Sequence, residues 1–500
     1  MKLRISMIAL VAAMAVLMAL TMTACQSDEG NDAEDEPRPT VEVGDEGIVF
    51  DGEERVPDPN LSATIGIGIW PQEHEAQDVA MHKAIVDDML EYFPNVKCEP
   101  AFYAYEPETY TPMAQGGRAP TIFQPWLTEP KRLIAAGIVG DITDELGPDG
   151  VNWARYMTES YRNILSDSEG RIYGIPRDSY ALGMYININL FERAGLVDAN
   201  GLPQYPKTFE ELSVAAKKIK DEAGVAGFCL VGAGARAGME FTNVAWNFGA
   251  ELLYQDEGTG KWMAGLNSEE AVAALQWLKD LKWEYDAITD DPLMETQEKA
   301  CNKVGTGLAA MCFGANDWVN VPTKTAGLDP LKFALVPVPK GPNGDQYLLG
   351  GGTTYMFAPN ATSDEKIAAL RYIEFMGKAP VATKEAFEGL KNDAKKNLES
   401  GIPIIPRIPA WNNPNYDKME KAAQEAYRKE QGIDMRLYQD YYDAVEVGLR
   451  AEPTYLAQEM YAELGRAISK VLREEDRDCK DVLDTAQEKY QGYLDNDVNV

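Results

Sequence analysis

The stretch ATIGIGIW (residues 63–70) is rich in β-branched residues and alternates isoleucine with glycine, a pattern that predicts a β-strand. A helical pattern follows over residues 75–93, then an extended segment over 98–103, a further helix and the short run PTIF (residues 120–123). Strands that alternate with helices are typical of α/β folds with a largely parallel sheet. The sequence therefore predicts an α/β fold that begins at this strand.

Helix starts are marked along the rest of the chain. The segments TFEE (residues 208–211) and TSDE (residues 362–365) both have the pattern of a capping box, in which Thr is followed three positions later by Glu. Asn267 is predicted to begin a third amphipathic helix. Strands are predicted over residues 333–338 and 353–358, and the last ~50 residues have the apolar spacing of helices.

The first residues have the pattern of a secretory signal peptide. Lys2 and Arg4 precede an uncharged apolar run, residues 5–20, which is too short to span a bilayer as a helix. Small residues then lead to Cys25, which resembles the lipobox of bacterial lipoproteins. That resemblance implies cleavage of the signal peptide, residues 1–24, and acylation of Cys25. An ordinary secretory signal with a chance cysteine stays open as the alternative.

The segment after Cys25, residues 25–60, is acidic, rich in glycine and proline and poor in apolar side chains. Such a segment buries too little apolar surface to offset the entropy of ordering, so it predicts a disordered tether. The whole chain carries 80 acidic and 47 basic residues, a formal net charge of −33. This surplus argues against nucleic acid and anionic lipid as partners.

The chain offers few candidates for metal binding. His74 and His82 are separated by about 12 Å of rise on a helix, which is too far for one metal ion, so both are interpreted as surface residues. Five cysteines remain besides Cys25, and an odd number does not predict a disulfide framework. We interpret all five as structural; their redox state, and a pairing of Cys301 with Cys312, stay open. The five are Cys98, Cys229, Cys301, Cys312 and Cys479.

Catalytic motifs are also absent from the sequence. The segment GAGARAG (residues 232–238) resembles a dinucleotide-binding loop, but its third glycine comes one position late, which predicts an ordinary flexible loop. We find no HExxH, GxSxG or phosphate-binding loop. The sequence therefore predicts a protein that is not an enzyme and that uses no cofactor. A pair of glycosidase carboxylates stays open among the 80 acidic residues.

Several aromatic residues follow predicted strands, where ligands bind in open α/β sheets. Aromatic rings beside Asp and Asn suit a polyhydroxylated ligand, because the ring covers the apolar face of a sugar and the polar groups take its hydroxyls. We interpret Trp262, Trp277 and Trp283, in or beside a helical stretch, as core residues. The tryptophans that we expect in a cleft are Trp70, Trp126, Trp246 and Trp318.

The order of segments from about residue 65 to residue 483 resembles the large extracellular solute-binding proteins of carbohydrate ABC importers, the group that includes maltose-binding protein. Residues 172–187 are similar to the first crossover between the two lobes of that family, and residues 350–360 to the second. The other matching segments are 120–123 with 133–142, 206–212, 307–318 and the start of the C-terminal helices at 453–455. The chain departs from the family pattern at 71–75 and over 391–450, so ligand contacts there stay undetermined.

The resemblance implies a two-lobe, type II periplasmic-binding-protein-like fold, in which a mixed, mostly parallel sheet forms each lobe and hinge crossovers join the lobes. The implied lobes are residues 61–182 plus 352–450 and residues 183–351 plus 451–500. Trp411 is a weaker candidate for ligand contact. The contacts that the resemblance implies are Trp70, Trp126, Asp178, Tyr180, Trp246, Asn316, Asp317, Trp318, Gly352 and Tyr355.

The function implied is that of a receptor for an ABC importer. It would capture a sugar or oligosaccharide by hinge closure and deliver it to the membrane permease, as a monomer anchored by lipid at the outer face of the cytoplasmic membrane. The same receptor role for a peptide or another small polar solute stays open. A secreted enzyme acting on polysaccharide and an adhesion or scaffold lipoprotein are the remaining alternatives.

Overall fold

The computed structural model describes residues 43–45, 47–52 and 55–499. The predicted signal peptide and the predicted lipidation site, Cys25, lie outside the described residues. In the described part of the chain no helix is both long enough and apolar enough to cross a membrane.

The strands of the described chain fall into two large sheets and one hairpin. They are β1 Ser62–Ile67, β2 Asn95–Pro100, β3 Ile122–Phe123, β4 Gly174–Pro176, β5 Tyr180–Asn187, β6 Ala226–Cys229, β7 Leu253–Gln255, β8 Trp262–Ala264, β9 Ala309–Ala315, β10 Phe333–Pro337, β11 Leu348–Gly351, β12 Thr354–Phe357 and β13 Leu449–Ala451.

The α-helices surround these sheets. They are α1 Ala76–Tyr92, α2 Pro107–Gln115, α3 Pro130–Ala135, α4 Thr143–Leu146, α5 Glu159–Leu165, α6 Ile188–Arg193, α7 Phe209–Ala223, α8 Gly234–Asn247, α9 Glu269–Trp283, α10 Gln297–Gly305, α11 Ser363–Phe375, α12 Lys384–Glu399, α13 Pro414–Gln431, α14 Gln439–Gly448, α15 Ala457–Arg473 and α16 Cys479–Asp497. Short 3₁₀ helices occur at Ala154–Tyr156, Pro292–Met294, Pro330–Lys332 and Met435–Leu437, and a π-helical turn at Val321–Thr325.

The first sheet has the strand order β2-β1-β3-β12-β4. Its strand β1 explains the alternating isoleucine and glycine of the opening stretch. Ile65 and Ile67 point into the core and are fully buried. On the other face, a Cβ atom at Gly68 would lie 2.7 Å from the carbonyl oxygen of Ile122, so the neighbouring backbone leaves room only for hydrogen. Strands β2 and β3 run parallel to β1, whereas β12 runs antiparallel to both of its neighbours.

The second sheet has the order β13-β11-β5-β9-β6, and β10 also pairs with β5. The central strand β5 is antiparallel to β9, β10 and β11, so both sheets are mixed and more antiparallel than the alternation of elements predicts. Helices α8 and α15 pack closely against each other. A Cβ at Gly238 would lie 2.0 Å from the carbonyl oxygen of Tyr461, which explains the glycines of residues 232–238. The predicted flexible loop there is wrong, because helix α8 begins within it.

Two short crossovers carry the chain between the sheets. Residues 177–179 connect β4 of the first sheet to β5 of the second, and residues 352–353 connect β11 of the second sheet to β12 of the first. The crossovers lie side by side, since the amide of Arg177 donates a hydrogen bond of 3.0 Å to the carbonyl oxygen of Thr353. Both crossovers are where the sequence predicted them.

The helix caps follow the sequence closely. Thr362 and Glu365 form the complete capping box, with side-chain hydrogen bonds in both directions. Thr208 caps α7 through the amide of Glu211, but the Glu211 carboxylate accepts from the amide of Lys207 instead of completing the box. Helix α9 is capped by Ser268. The predicted start at Asn267 is therefore wrong by one residue.

Helices α12 and α13 form a hairpin with a small core of its own, which contains Phe387, Leu390 and Met419. Val43, Ile48 and Phe50 pack against this core. The prediction of a disordered tether over residues 25–60 is therefore wrong for its last part. The apolar residues in this acidic segment are few, but they are spaced so that they cover one face of the hairpin.

Helix α14 packs with the second sheet. The Tyr441 hydroxyl donates a hydrogen bond of 2.7 Å to the carbonyl oxygen of Ala181 on β5, and Tyr438 donates one of 3.2 Å to Phe333 on β10. The sequence assigns residues up to 450 to the lobe of the first sheet. The packing of α14 favours its assignment to the lobe of the second sheet. The remaining lobe boundaries stay a prediction.

Candidate functional site

A cavity of 520 Å³ lies where the first crossover meets the loop that follows β9. We call it the cleft cavity. Its other wall is formed by residues 378–380, which follow α11, by the hairpin α12–α13 and by the irregular segment between those two helices. The residues that line it are 177–179, 316–317, 319–320, 378–380 and 402–411, together with parts of α12 and α13. The exposed Trp318 is not among them. The cavity is therefore bordered by elements from both sheets and from the region that the sequence matched poorly.

Asp178 holds the two crossovers together. Its Oδ1 accepts hydrogen bonds of 2.8 Å from both the amide and the hydroxyl of Thr353, and its Oδ2 pairs with Arg177. Arg177 also donates to the Thr353 hydroxyl at 3.2 Å. Gly352 is needed here because a Cβ would lie 2.3 Å from the carbonyl oxygen of Asp178. Both predicted residues therefore have a structural role at the crossovers, and Asp178 also lines the cleft cavity.

The loop after β9 divides into one fixed residue and two exposed ones. The Asn316 side-chain oxygen accepts hydrogen bonds of 3.1 Å from the Ala181 amide and from the Tyr441 hydroxyl, which fixes the loop against β5. Trp318 is 40% exposed. Asp317 is also exposed, yet protein surrounds its carboxylate on several sides. This loss of hydration, together with the negative charge of Asp178, raises the pKa of Asp317 to about 6.

A second cavity, of 430 Å³, lies on the side of the second sheet. Asp317 lines both cavities. Tyr180, Trp318 and Arg236 line the second cavity, and Arg236 is paired with Glu240 at 2.9 Å. The structure therefore places five of the predicted contacts along two cavities that share Asp317, namely Asp178, Tyr180, Asn316, Asp317 and Trp318.

Three predicted contacts lie in the core instead of the cleft. Trp70 is 8% exposed and packs edge-on against His82, with the ring centroids 5.4 Å apart. Trp246 is 3% exposed, and the guanidinium of Arg450 lies 4.2 Å from the centre of its ring. Tyr355 is 1% exposed and packs in the core of the first sheet. The prediction that Trp70, Trp246 and Tyr355 line the cleft is wrong, because neighbouring elements cover all three rings.

Trp126 has an intermediate position. It is half-buried, forms an isolated β-bridge with Thr353 of the second crossover and contacts the Tyr105 ring edge-on. It does not line either of the two cavities described above. Trp126 therefore supports the crossover, and direct contact with a ligand stays a prediction.

The sequence did not identify the residues of the other wall, apart from Trp411 as a weak candidate. Lys378, Arg407 and Tyr416 line the cleft cavity there. Arg407 stands in the segment IPIIPRIPAW (residues 402–411), where prolines recur every third position around a single charged residue. That pattern predicts extended, irregular backbone and was a usable signal. Lys378 follows the helix-ending Gly377 and has no comparable signal in the sequence.

The histidines and cysteines are placed by packing. His82 is buried and hydrogen-bonds to Tyr372, so the interpretation of His82 as a surface residue is wrong, whereas His74 is exposed. The five cysteines of the described chain are free thiols, and four of them are buried. Within residues 43–45, 47–52 and 55–499, no three His, Cys, Asp or Glu side chains are grouped so that they could hold a metal ion.

Comparisons with known proteins place this geometry in a family context. Residues 76–383 match the family described as bacterial extracellular solute-binding proteins. A curated relative, named as a binding protein of Brucella abortus, is 27% identical over 235 residues, which is 44% of this chain and 52% of that protein. The chain thus spans about half the length of the curated relatives that it matches.

Two solved structures illustrate the likeness in fold. The GacH receptor of Streptomyces glaucescens, studied without ligand and with acarbose, is 17% identical with a TM-score of 0.62, over 87% of this chain and 99% of that one. UgpB of Mycobacterium tuberculosis in complex with glycerophosphocholine is 18% identical with a TM-score of 0.64, over 87% and 99% of the two chains. These likenesses confirm the predicted two-lobe α/β fold.

Proposed function

This chain belongs to the family of bacterial extracellular solute-binding proteins, and from that premise we propose that it is the substrate-binding component of an ABC importer. It captures a sugar or oligosaccharide between its two lobes and delivers it to the membrane permease. The observation that supports this proposal is the cleft cavity, whose lining combines the first crossover and the loop after β9 with residues 378–380 and 402–411.

The proposed mechanism is hinge closure without covalent chemistry. Ligand between the lobes favours the closed form through contacts that the open form cannot make. The two adjacent crossovers, fixed to each other through Asp178 and Thr353, are the proposed hinge. Trp318 covers the apolar face of a sugar ring, and Asp317 and Tyr180 bind its hydroxyl groups.

The proposed location is the outer face of the cytoplasmic membrane. The basic start, the apolar run and the small residues before Cys25 support export and acylation at that cysteine. The receptor then acts as a lipid-anchored monomer beside its permease.

A small polar solute other than a sugar is the second candidate ligand. Charged side chains of both signs line the cleft cavity, among them Arg177, Lys378, Arg407 and Asp393. Neutral sugars do not need this many charges. A similar fold binds glycerophosphocholine in the UgpB complex, so the architecture accommodates charged solutes.

A thermal-shift screen of oligosaccharides, peptides and small polar solutes tests the proposal on the soluble chain without its signal peptide. A ligand that binds only the folded form stabilises it by about 2.7 kcal/mol at a concentration of 100 times its Kd. We therefore expect one chemical class to raise the Tm by several degrees. No shift with any solute would contradict the receptor role.

A Trp318→Ala variant shows whether the binding is in the cleft. It is expected to retain the unliganded Tm and to lose most of the ligand-induced shift. Tyr254→Ala is the matched control, since Tyr254 is similarly exposed and lies on the small β7–β8 hairpin. An equal effect of both substitutions would place the binding elsewhere.

A further inference from the structure

One cation in the cleft cavity has no counter-ion. The ammonium group of Lys378 makes no hydrogen bond or ion pair with any of the described residues, although Lys378 lines the cavity. The other two cations of the cavity are paired. Arg177 pairs with Asp178, and Arg407 lies 3.0 Å from Glu420 and 3.4 Å from Asp393.

The charges around Lys378 leave its own charge uncompensated. Two arginines, Arg407 and Arg177, and two carboxylates, Asp393 and Asp178, act on it, and Arg407 acts most strongly of the four. Burial and the nearby Arg407 lower the pKa of Lys378 to about 8, which leaves it mostly protonated at neutral pH. A half-buried ammonium without a partner is costly unless a ligand supplies the opposite charge.

The wall beside Lys378 combines apolar and charged side chains. Ala379, Pro380 and Leu390 line the cleft cavity there together with Asp393 and Arg407. Lys378 also borders a neighbouring cavity of 320 Å³, whose lining includes the carboxylates of Glu374 and Glu385. The apolar part of the wall limits hydration of the ammonium and strengthens its attraction for an anion. The cavity also contains the carboxylates of Asp317 and Asp417, each without an ion pair among the described residues, and these repel an anion from their part of the cavity.

From this arrangement we propose that the solute carries an anionic group, a carboxylate or a phosphate, that pairs with Lys378. The inference rests on the proposed receptor role and narrows its ligand to an acidic sugar or a sugar or polyol phosphate. The uncharged part of the solute extends toward Asp317 and Trp318, where hydroxyl groups meet the carboxylate and a ring meets the indole. Lys378 thus determines specificity, because a neutral solute leaves its ammonium unpaired.

Calorimetric titration of the soluble chain separates the sources of the anion. The probes are trigalacturonate for a carboxylate, glucose 6-phosphate for a phosphate ester and maltotriose as a neutral solute, together with any solute that raises the Tm in the screen. We expect one anionic probe to bind, and its affinity to fall with added salt because ions screen the pairing. Binding of maltotriose alone would leave the receptor role intact and overturn the inference.

Substitution of Lys378 tests its role directly. Lys378→Gln is expected to lower the affinity for the anionic solute by tenfold or more, since a hydrogen bond between charged groups is lost. Lys378→Arg is expected to retain most of the affinity. Lys384→Gln is the matched control, because it removes the same charge from an exposed lysine that does not line the cavity. Equal Tm values for the unliganded variants show that folding is unchanged. Unchanged affinity in Lys378→Gln, or an uncharged solute as the ligand found in the screen, would overturn the inference.

Discussion

Asp317 is placed to contact a ligand, but its ionisation makes the unliganded protein less stable. It lines both cavities, and its pKa is raised to about 6 by loss of hydration and by the charge of Asp178. A carboxylic acid whose pKa is higher in the fold than in the unfolded chain reduces stability once it ionises. The residue is therefore placed for ligand contact at a cost to the stability of the unliganded protein.

Asp317→Asn is expected to raise the Tm of the unliganded protein at pH 7.5 and to leave it unchanged at pH 4. The wild-type protein loses stability as the pH rises from 3.8, the ordinary pKa of an Asp carboxyl, to about 6, the pKa of Asp317 in the fold. The amide of the Asp317→Asn variant does not ionise, so the variant has no such loss. Thermal unfolding at the two pH values measures this. Asp87→Asn, an exposed residue on α1 far in sequence from the cleft, is the control, and an equal response of both variants would refute the role of Asp317.

Single residues were also where sequence reasoning was least complete. Asp178, Tyr180, Asp317 and Trp318 were predicted because they follow strands or match a family segment, and they do border the cavities. Trp246 satisfied the same criteria but is covered by Arg450, which lies 204 positions later in the chain. Such long-range packing leaves no local pattern in the sequence.

At the scale of elements, the described residues 43–45 and 47–52 pack with the α12–α13 hairpin. Asp51 accepts hydrogen bonds from the amide of Ala382 at 2.9 Å and from the side chain of Asn415 at 3.1 Å. It also accepts from Asn413 at 3.4 Å and from the Tyr156 hydroxyl at 3.2 Å. Asn413 lines the cleft cavity, so the segment that leads from the predicted anchor is connected to a wall of the candidate site.

Asp51→Ala is expected to destabilise the hairpin by about 1–3 kcal/mol, because several donors lose their acceptor. Burial opposes ionisation of Asp51, but its hydrogen bonds outweigh burial and lower its pKa below the ordinary value of 3.8. The difference in the free energy of unfolding between wild type and variant is therefore largest above pH 4, and it decreases as the pH falls below that value. Urea unfolding and amide hydrogen exchange over residues 384–431 measure it.

Asp45→Ala provides the comparison for this prediction, since Asp45 is exposed in the same segment and its side chain makes no hydrogen bond or ion pair with the described residues. Faster exchange in the hairpin of the Asp51 variant alone is the expected result. Indistinguishable exchange in the two variants would show that the docked segment does not stabilise the hairpin.

Elements with a strong local pattern were predictable, and those fixed by distant contacts were not. The alternating isoleucines of β1 and the Thr362 capping box are visible in the sequence because neighbouring residues determine them. The docking of Asp51 depends on Ala382, 331 residues away. The composition of the acidic segment predicted disorder, because overall composition does not show how its few apolar residues are spaced.

At the scale of the whole molecule, the two lobes and the two crossovers between them were implied by the family resemblance, because the segments at each crossover are similar to those of the family. The sequence did not predict the course of the chain between α11 and α15, which departs from the family pattern. There the hairpin and the segment 402–411 contribute Arg407 and Tyr416 to the cleft cavity, and Lys378 lies just before the hairpin. One wall of the proposed binding site is therefore built largely by the part of the chain that the family resemblance describes least.

The central claim, closure of two lobes around a solute, is tested most directly by a distance between the lobes. Spin labels at Met81→Cys on α1 and Val214→Cys on α7, both exposed positions, report on the first and second sheet respectively. Labels at Val214→Cys on α7 and Val447→Cys on α14, two exposed positions on helices that pack with the second sheet, form the control pair. Addition of the solute that raises the Tm is predicted to shorten the first distance and to leave the control distance unchanged. An unchanged first distance in the presence of a bound solute would contradict the account.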